Sequence, residues 1–318
     1  MSQYTANESI KKASNFAYFG SSSFSVYVLD ELIGLGIKPT LVITTPDKPQ
    51  GRKLVLQPNV VKSWAIKNDV DFLDAGKLDP EFISRLKMKC EESGIDLFVV
   101  ASYGKIIPHG ILSIPEKGTL NIHPSLLPRY RGASPLPTAM LEDTKETGIT
   151  IMKLDDQMDH GPIVAQEPVV IVEWPIYEVF EENMARIGAK LLAKTLPRWI
   201  SGEIKSVDQN HAAATYTKKI QKEDAFIDSD VLNLDNITSE DQYTIYRKIQ
   251  AYHEWPQAYF LVDKNGDKMR VKIVTASFVN GKLLILRVIP EGSKEMSFED
   301  FKRGIKIILS SFPKAINP

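Results

Sequence analysis

Gly118-Thr119-Leu120-Asn121-Ile122-His123-Pro124-Ser125-Leu126-Leu127-Pro128 is the stretch on which the reading of this chain turns. Its first six residues read as a strand, closed by a proline that cannot continue a ladder. The apolar run Ile95-Asp96-Leu97-Phe98-Val99-Val100 reads as the strand before it. Residues two apart on a strand share a face, so Asn121 and His123 are expected to point into one space at a strand end. Open parallel sheets bind their ligands there. Downstream, Leu154-Asp155-Asp156-Gln157-Met158-Asp159-His160-Gly161 adds a carboxylate, Asp159. An amide donor, an imidazole and a carboxylate together supply oxyanion stabilisation, proton transfer and an orienting anion, the needs of acyl transfer to an amine. His160 is adjacent to Asp159 on an extended segment and should flank the site rather than join it.

Working outward, Phe16-Ala17-Tyr18-Phe19, the apolar-periodic stretch Phe24 to Leu35 and Pro39-Thr40-Leu41-Val42-Ile43-Thr44 read as strand, helix, strand. Gly20-Ser21-Ser22-Ser23 between the first two lacks the second and third glycines of a dinucleotide fingerprint, so serine caps are expected and NAD is not. Val60 to Asn68 and Pro80 to Ser93 read as helices, the second ending before Gly94. Ala101-Ser102-Tyr103-Gly104, at the C-terminal end of the strand through Val100, should line the cleft. Strands are expected over 148–154 and 162–166, and a long amphipathic helix over 177–200. The result is an α/β class with a mostly parallel sheet.

The loop Thr45-Pro46-Asp47-Lys48-Pro49-Gln50-Gly51-Arg52-Lys53 carries three cations. It reads either as a solvated turn or as a tip that follows phosphates without reading bases. Residues 205–222 are polar and aperiodic, and read as linker. Beyond them, Trp255-Pro256, Tyr259 to Val262, Met269 to Val274 and Lys282 to Val288 read as short strands separated by the hairpin turns Asp263-Lys264-Asn265-Gly266-Asp267 and Asn280-Gly281. That pattern suits a small β-barrel. The expected organisation is a tail over 1–15, a first domain over 16–205, a linker over 206–222 and a second domain over 223–318.

A chain of 318 residues has room for two ordinary domains. Thirty-nine basic residues against 40 acidic ones leave a net charge of -1, so any contact with nucleic acid must be local. No apolar run approaches the roughly 20 residues of a membrane span, and the polar opening residues lack the apolar core of a secretory signal. Cys90 is the only cysteine, which excludes an intrachain disulfide and a cysteine-based metal cluster. The expected setting is the reducing cytoplasm, without membrane or metal.

Asn121-x-His123-x-Ser125-Leu126-Leu127-Pro128, followed by Arg129-Tyr130-Arg131-Gly132 and Asp159-x-Gly161, resembles the folate-dependent formyltransferases. Thr45-Pro46-Asp47-Lys48-Pro49, Gly51-Arg52, Lys222-Glu223-Asp224-Ala225, Trp255-Pro256 and Pro290 to Phe301 draw the resemblance towards the branch that acts on initiator tRNA. It implies the formyltransferase fold, a Rossmann-like, mostly parallel sheet that binds no dinucleotide, with an OB-like second domain, and 10-formyltetrahydrofolate as co-substrate. The acceptor it implies is the amino group of initiator methionyl-tRNA, and the expected state is a monomer. Carried over by position, Asn121, His123 and Asp159 are the catalytic set. Ser125, Leu126, Leu127 and Pro128 are the folate-contacting stretch and Lys48, Arg52 and Lys53 meet the tRNA; Ser102, Tyr103 and Gly104, in the loop that should line the cleft, are expected to contact the folate too. The alternatives are a formyltransferase for an amino sugar nucleotide and a non-catalytic folate- or RNA-binding paralogue.

Overall fold

The computed structural model describes residues 15–50, 55–228, 234, 236–264 and 266–309. The first fifteen residues, expected as a tail, therefore lie outside it except for Asn15. In chain order the elements are β1 (Asn15–Phe19), α1 (Ser23–Gly34), β2 (Leu41–Thr44), β3 (Lys48–Gln50), β4 (Val55–Gln57), α2 (Val60–Lys67), β5 (Asp71–Asp74), α3 (Pro80–Ser93) and β6 (Ile95–Val100). Next come α4 (His109–Leu112), β7 (Thr119–His123), β8 (Arg131–Gly132), α5 (Pro135–Leu141), β9 (Glu146–Lys153), β10 (Ile163–Val170), α6 (Tyr177–Ile200) and β11 (Tyr216–Thr217). The chain closes with α7 (Ser239–Ala251), β12 (Tyr259–Lys264), β13 (Asp267–Val279), β14 (Lys282–Pro290), β15 (Met296–Ser297) and α8 (Phe298–Leu309).

Seven strands form one sheet in the order β10-β9-β7-β6-β1-β2-β5. The five from β7 to β5 run parallel, while β9 and β10 are antiparallel, so the sheet is mixed at the flank that carries the site. Local chemistry explains the helix boundaries. Ser22 caps α1 by accepting from the Ser25 amide, and Asp79 caps α3 by accepting from Phe82, with Pro80 at the first turn. Gly94 closes α3 in the left-handed region at φ 63°.

Alternate residues of the strands feed opposite layers. Ala17, Phe19, Leu41, Ile43, Phe98 and Val100 pack with Phe82, Leu86 and Cys90 of α3. Leu120 and Ile122 face the other way, and Gly188 lets α6 approach there, since a Cβ at that position would sit 2.7 Å from Ile122 Cγ2. Val100 is paired in register with Asn121, which puts Asn121 and His123 on the α3 side of the sheet.

Cys90 lies in this core, and burial, with Glu91 adding, pushes its thiol up to about 11. The thiolate that reacts is thereby both scarce and shielded. Ellman's reagent at pH 8 is expected to label native protein at least roughly a thousandfold more slowly than denatured protein. Stoichiometric labelling of folded protein within minutes would contradict this.

Residues 205–217, expected as linker, instead add to this sheet's surroundings. Val207 bridges Ile163, Gln209 is buried, and Tyr216 and Thr217 pair with Arg131 and Gly132. Where a loop was expected after Thr44, β3 and β4 pair antiparallel. The edge strand β5 escapes the pattern because its acid-flanked Asp71-Phe72-Leu73-Asp74 is only partly buried. Residues 137–144 and 173–179 belong with the C-terminal unit, and the described residues from 219 on make up the rest of it.

Within that second unit β12, β13, β14 and β15 form an antiparallel sheet, the arrangement of the small-barrel expectation. Its core gathers Tyr246 and Ile249 of α7 with Phe260, Val271, Ile273, Leu283, Ile285, Val288, Phe298 and Phe301. Gly281 supplies the positive φ of 76° that the hairpin turn between β13 and β14 requires. Trp255-Pro256 is a turn with a cis peptide rather than a strand. Among the described residues, no helix is long and apolar enough to cross a membrane.

Candidate active site

The strand ladder does what the period-two pattern required. Asn121 is paired with Met152 and His123 with Thr150 of β9, so both side chains emerge on one face at the C-terminal end of β7. Asn121 is 9% exposed, and no hydrogen bond engages its side-chain amide among the described residues. A nearly buried amide with uncommitted donors is suited to an oxygen that gains charge.

His123 is held by two partners of different kinds. Nε2 lies 2.9 Å from the Tyr130 carbonyl oxygen, which can only accept, so that nitrogen carries a hydrogen. Nδ1 faces Asp159 Oδ1 at 3.6 Å, within ion-pair range but beyond a good hydrogen bond. Tyr130 therefore orients the ring, and Asp159 faces the other nitrogen. Sequence reasoning assigned the orienting role to Asp159. A backbone carbonyl carries no residue signature, so nothing in the letters pointed to Tyr130.

Asp159 itself stands at φ 51°, a left-handed conformation that costs a non-glycine residue on the order of 1–3 kcal/mol unless its surroundings impose it. Its Oδ2 accepts from the Gly132 amide at 2.8 Å. That donor depends on glycine, because Gly132 has φ 110° and a Cβ there would lie 2.8 Å from the Thr217 carbonyl oxygen. His160 turns elsewhere: its Nδ1 meets Asp155 Oδ2 at 2.7 Å, and its ring stacks on His211 at 4.0 Å between centroids.

The loop 125–128 is shaped from beneath by two residues that the sequence did not single out. Thr150 donates to the Ser125 carbonyl at 2.6 Å and accepts from the Leu127 amide at 3.1 Å. Gln166 donates to both Thr150 Oγ1 and the Leu127 carbonyl, each at 2.9 Å. Ser125 and Leu127 are buried, the former donating to the Arg129 carbonyl, whereas Leu126 and Pro128 stay partly exposed. Thr150 and Gln166 are cross-strand partners directly opposite each other, a signal that strand register could have yielded.

In the loop after β6, Ser102 and Gly104 are exposed in left-handed conformations, at φ 50° and 74°. Tyr103 instead points into the core, edge-on to Phe19 at 5.4 Å. The backbone carbonyls of Ser102 and Tyr103 accept from Ser21, tying this loop to the serine turn after β1. Of the expected tRNA contacts, Arg52 and Lys53 lie outside the described residues, and Lys48 is described as backbone only, in β3. At the root of their loop Lys62 holds Asp47 and Asp74, each at 3.0 Å, and these contacts, Asp47 first, raise its pKa above that of an ordinary lysine. Among the described residues, no group of three or more His, Cys, Asp or Glu side chains is gathered for a metal ion.

The formyl transferase family matches residues 14–196. A methionyl-tRNA formyltransferase of Chloroflexus aurantiacus is 41% identical over 243 residues, spanning 76% of this chain and 74% of that protein. One from Halalkalibacterium halodurans is 35% identical over 310 residues, spanning 90% of this chain and 93% of the relative. An N-formyltransferase from Helicobacter canadensis, solved with folinic acid and dTDP-3-aminofucose, aligns with a TM-score of 0.54 over 84% of this chain and 88% of its own. At 19% identity that likeness speaks for the fold alone. With a family match across more than half its length and relatives aligned over most of theirs, the chain belongs to the formyl transferase family, in the branch of the methionyl-tRNA formyltransferases.

Proposed function

We propose that this protein transfers the formyl group of 10-formyltetrahydrofolate to the free amino group of methionyl initiator tRNA, preparing it for translation initiation. The observation that carries the reading is the His123–Asp159 pair, 3.6 Å apart, beside the uncommitted Asn121 amide in a chain of this family. An aminoacyl amine has a pKa no higher than roughly 7.7–8.0, so a neutral fraction is present at physiological pH and activating it is not the main difficulty. The harder requirements are charge on the formyl oxygen and a proton for the departing nitrogen.

The amine nitrogen bonds to the formyl carbon while the carbonyl electron pair moves onto oxygen, where Asn121 donates. Losing one such donor costs on the order of 3 kcal/mol in comparable sites. His123 accepts the proton of the new ammonium at Nδ1, because Nε2 is engaged by Tyr130. Asp159 steadies the charged ring during that interval. The proton then passes to the nitrogen of the donor as its bond to the formyl carbon breaks, leaving formylated methionyl-tRNA and tetrahydrofolate.

For the donor, the partly exposed Leu126 and Pro128 offer apolar surface to a pterin, with Ser102 and Gly104 across the strand ends. Ser125, Leu127 and Tyr103, whose side chains are buried, act by fixing the shape of those loops. For the acceptor, Lys48, Arg52 and Lys53 are assigned to phosphates near the aminoacyl end, a contact that salt weakens.

Incubation with 10-formyltetrahydrofolate carrying labelled formyl is expected to place label on charged initiator tRNA and leave amino sugar nucleotides unlabelled. Label confined to a small amine would overturn the assignment, and no transfer to any amine would favour a non-catalytic paralogue.

A further inference from the structure

We propose that Gln209, itself locked by the buried guanidinium of Arg131, is a positioning residue that sets Asp159 against His123; this rests on the catalytic role proposed above for that pair. Gln209 is 5% exposed and lies in the segment that reads as linker. Its Nε2 donates to two carbonyls of the Asp159 turn, Asp159 O at 2.9 Å and Gly161 O at 2.7 Å. The backbone it grips is the one held at φ 51°. One amide group thus satisfies both ends of a strained turn, over which the Asp159 carboxylate must face the ring.

Arg131 removes the remaining freedom. Its Nε and Nη2 both donate to Gln209 Oε1, at 3.2 and 2.7 Å. Turning the amide over would set its oxygen against two carbonyl oxygens and its N–H groups against a guanidinium, so only one orientation is compatible with its neighbours. Arg131 is 2% exposed, and its other side-chain partners are His211 Nδ1 at 2.8 Å and Tyr216 OH at 3.3 Å. None of these is an acid, and no carboxylate pairs with Arg131 among the described residues.

A guanidinium taken out of water among neutral acceptors is poor value as a stability device. It is understandable as a brace for one dipole. The next residue completes the clamp: Gly132 donates to Asp159 Oδ2, so residues 131 and 132 hold the aspartate by its backbone, through Gln209, and by its carboxylate directly.

The test is a double-mutant cycle in the full chain, read by steady-state formylation of charged initiator tRNA. Gln209→Glu keeps an acceptor for Arg131 but sets an oxygen against the two carbonyls. It is expected to lower kcat roughly tenfold to a hundredfold, the scale of a misplacement of about 1 Å, with both KM values within about twofold and the melting midpoint little changed. In an Asp159→Asn background the same change is expected to alter kcat by less than about twofold, because the group being positioned is gone. If Gln209→Glu does not fold, Arg131→Lys takes its place in the cycle, with the same non-additivity expected.

Wild-type kcat in Gln209→Glu alongside an impaired Asp159→Asn would overturn the clamp and leave the catalytic reading standing. Equal losses in both backgrounds would likewise overturn it, as a structural effect independent of Asp159. A fully active Asp159→Asn enzyme would remove the catalytic reading and the clamp together.

Discussion

His123→Gln is expected to lower kcat/KM by roughly a thousandfold, within the range of 10² to 10⁴ that a placed acid–base group contributes. The loss should fall on kcat, with little change in KM for either substrate, because the ring moves a proton during the reaction rather than anchoring a ground state. Of its two nitrogens, one is spent on the Tyr130 carbonyl and the other faces Asp159, so the proposed transfer depends on Nδ1 alone. Asp159→Asn should act in the same direction with a smaller loss, since the imidazole remains while its counter-charge is gone. The measurement is steady-state formylation of charged initiator tRNA, with circular dichroism to show that the fold persists. Retention of more than about a tenth of wild-type kcat by His123→Gln would sink the assignment of proton transfer to this ring.

The second large effect is expected from a position that carries no functional group. A Cβ on Gly161 would lie 2.0 Å from the Lys153 carbonyl oxygen and 3.1 Å from its carbon, a collision with backbone that no rotamer relieves. Gly161→Ala should therefore destabilise the protein by on the order of 3 kcal/mol, which lowers the melting midpoint by roughly 6–12 °C in a unit of this size. Activity should fall further than stability explains, because the strand end that must move leads into the Asp159 turn. Calorimetry and formylation at a temperature well below the transition separate the two. A midpoint within about 2 °C of wild type together with full activity would mean that the turn accepts a side chain there.

The glycine of Asp159-x-Gly161 is thus a steric requirement, legible as a motif in the sequence but explained only by the Lys153 carbonyl that lies against it. Other parts divide in the same way. Regular elements with strong periods were legible at once: the strand 95–100 and the helices 80–93 and 177–200 occupy the expected residues, because burial of alternate or every third to fourth side chain writes the period into the chain. The edge strand β5 was not, since a partly exposed strand with aspartates at both ends has no apolar alternation to display.

What the amino-acid order determined by itself was the kind of sheet, the shared face of Asn121 and His123 and the carboxylate that joins them. These follow from local periodicity and from side chains whose chemistry is visible in the letters. What only the tertiary structure decided was how the site is held. Tyr130 orients the histidine through a carbonyl, Thr150 and Gln166 shape the loop beside it, and Gln209 arrives from a polar segment with no period of its own. Backbone acceptors are identical in every residue, and a hydrogen bond between positions 50 apart leaves no local pattern, so those restraints exist only once the chain has closed on itself.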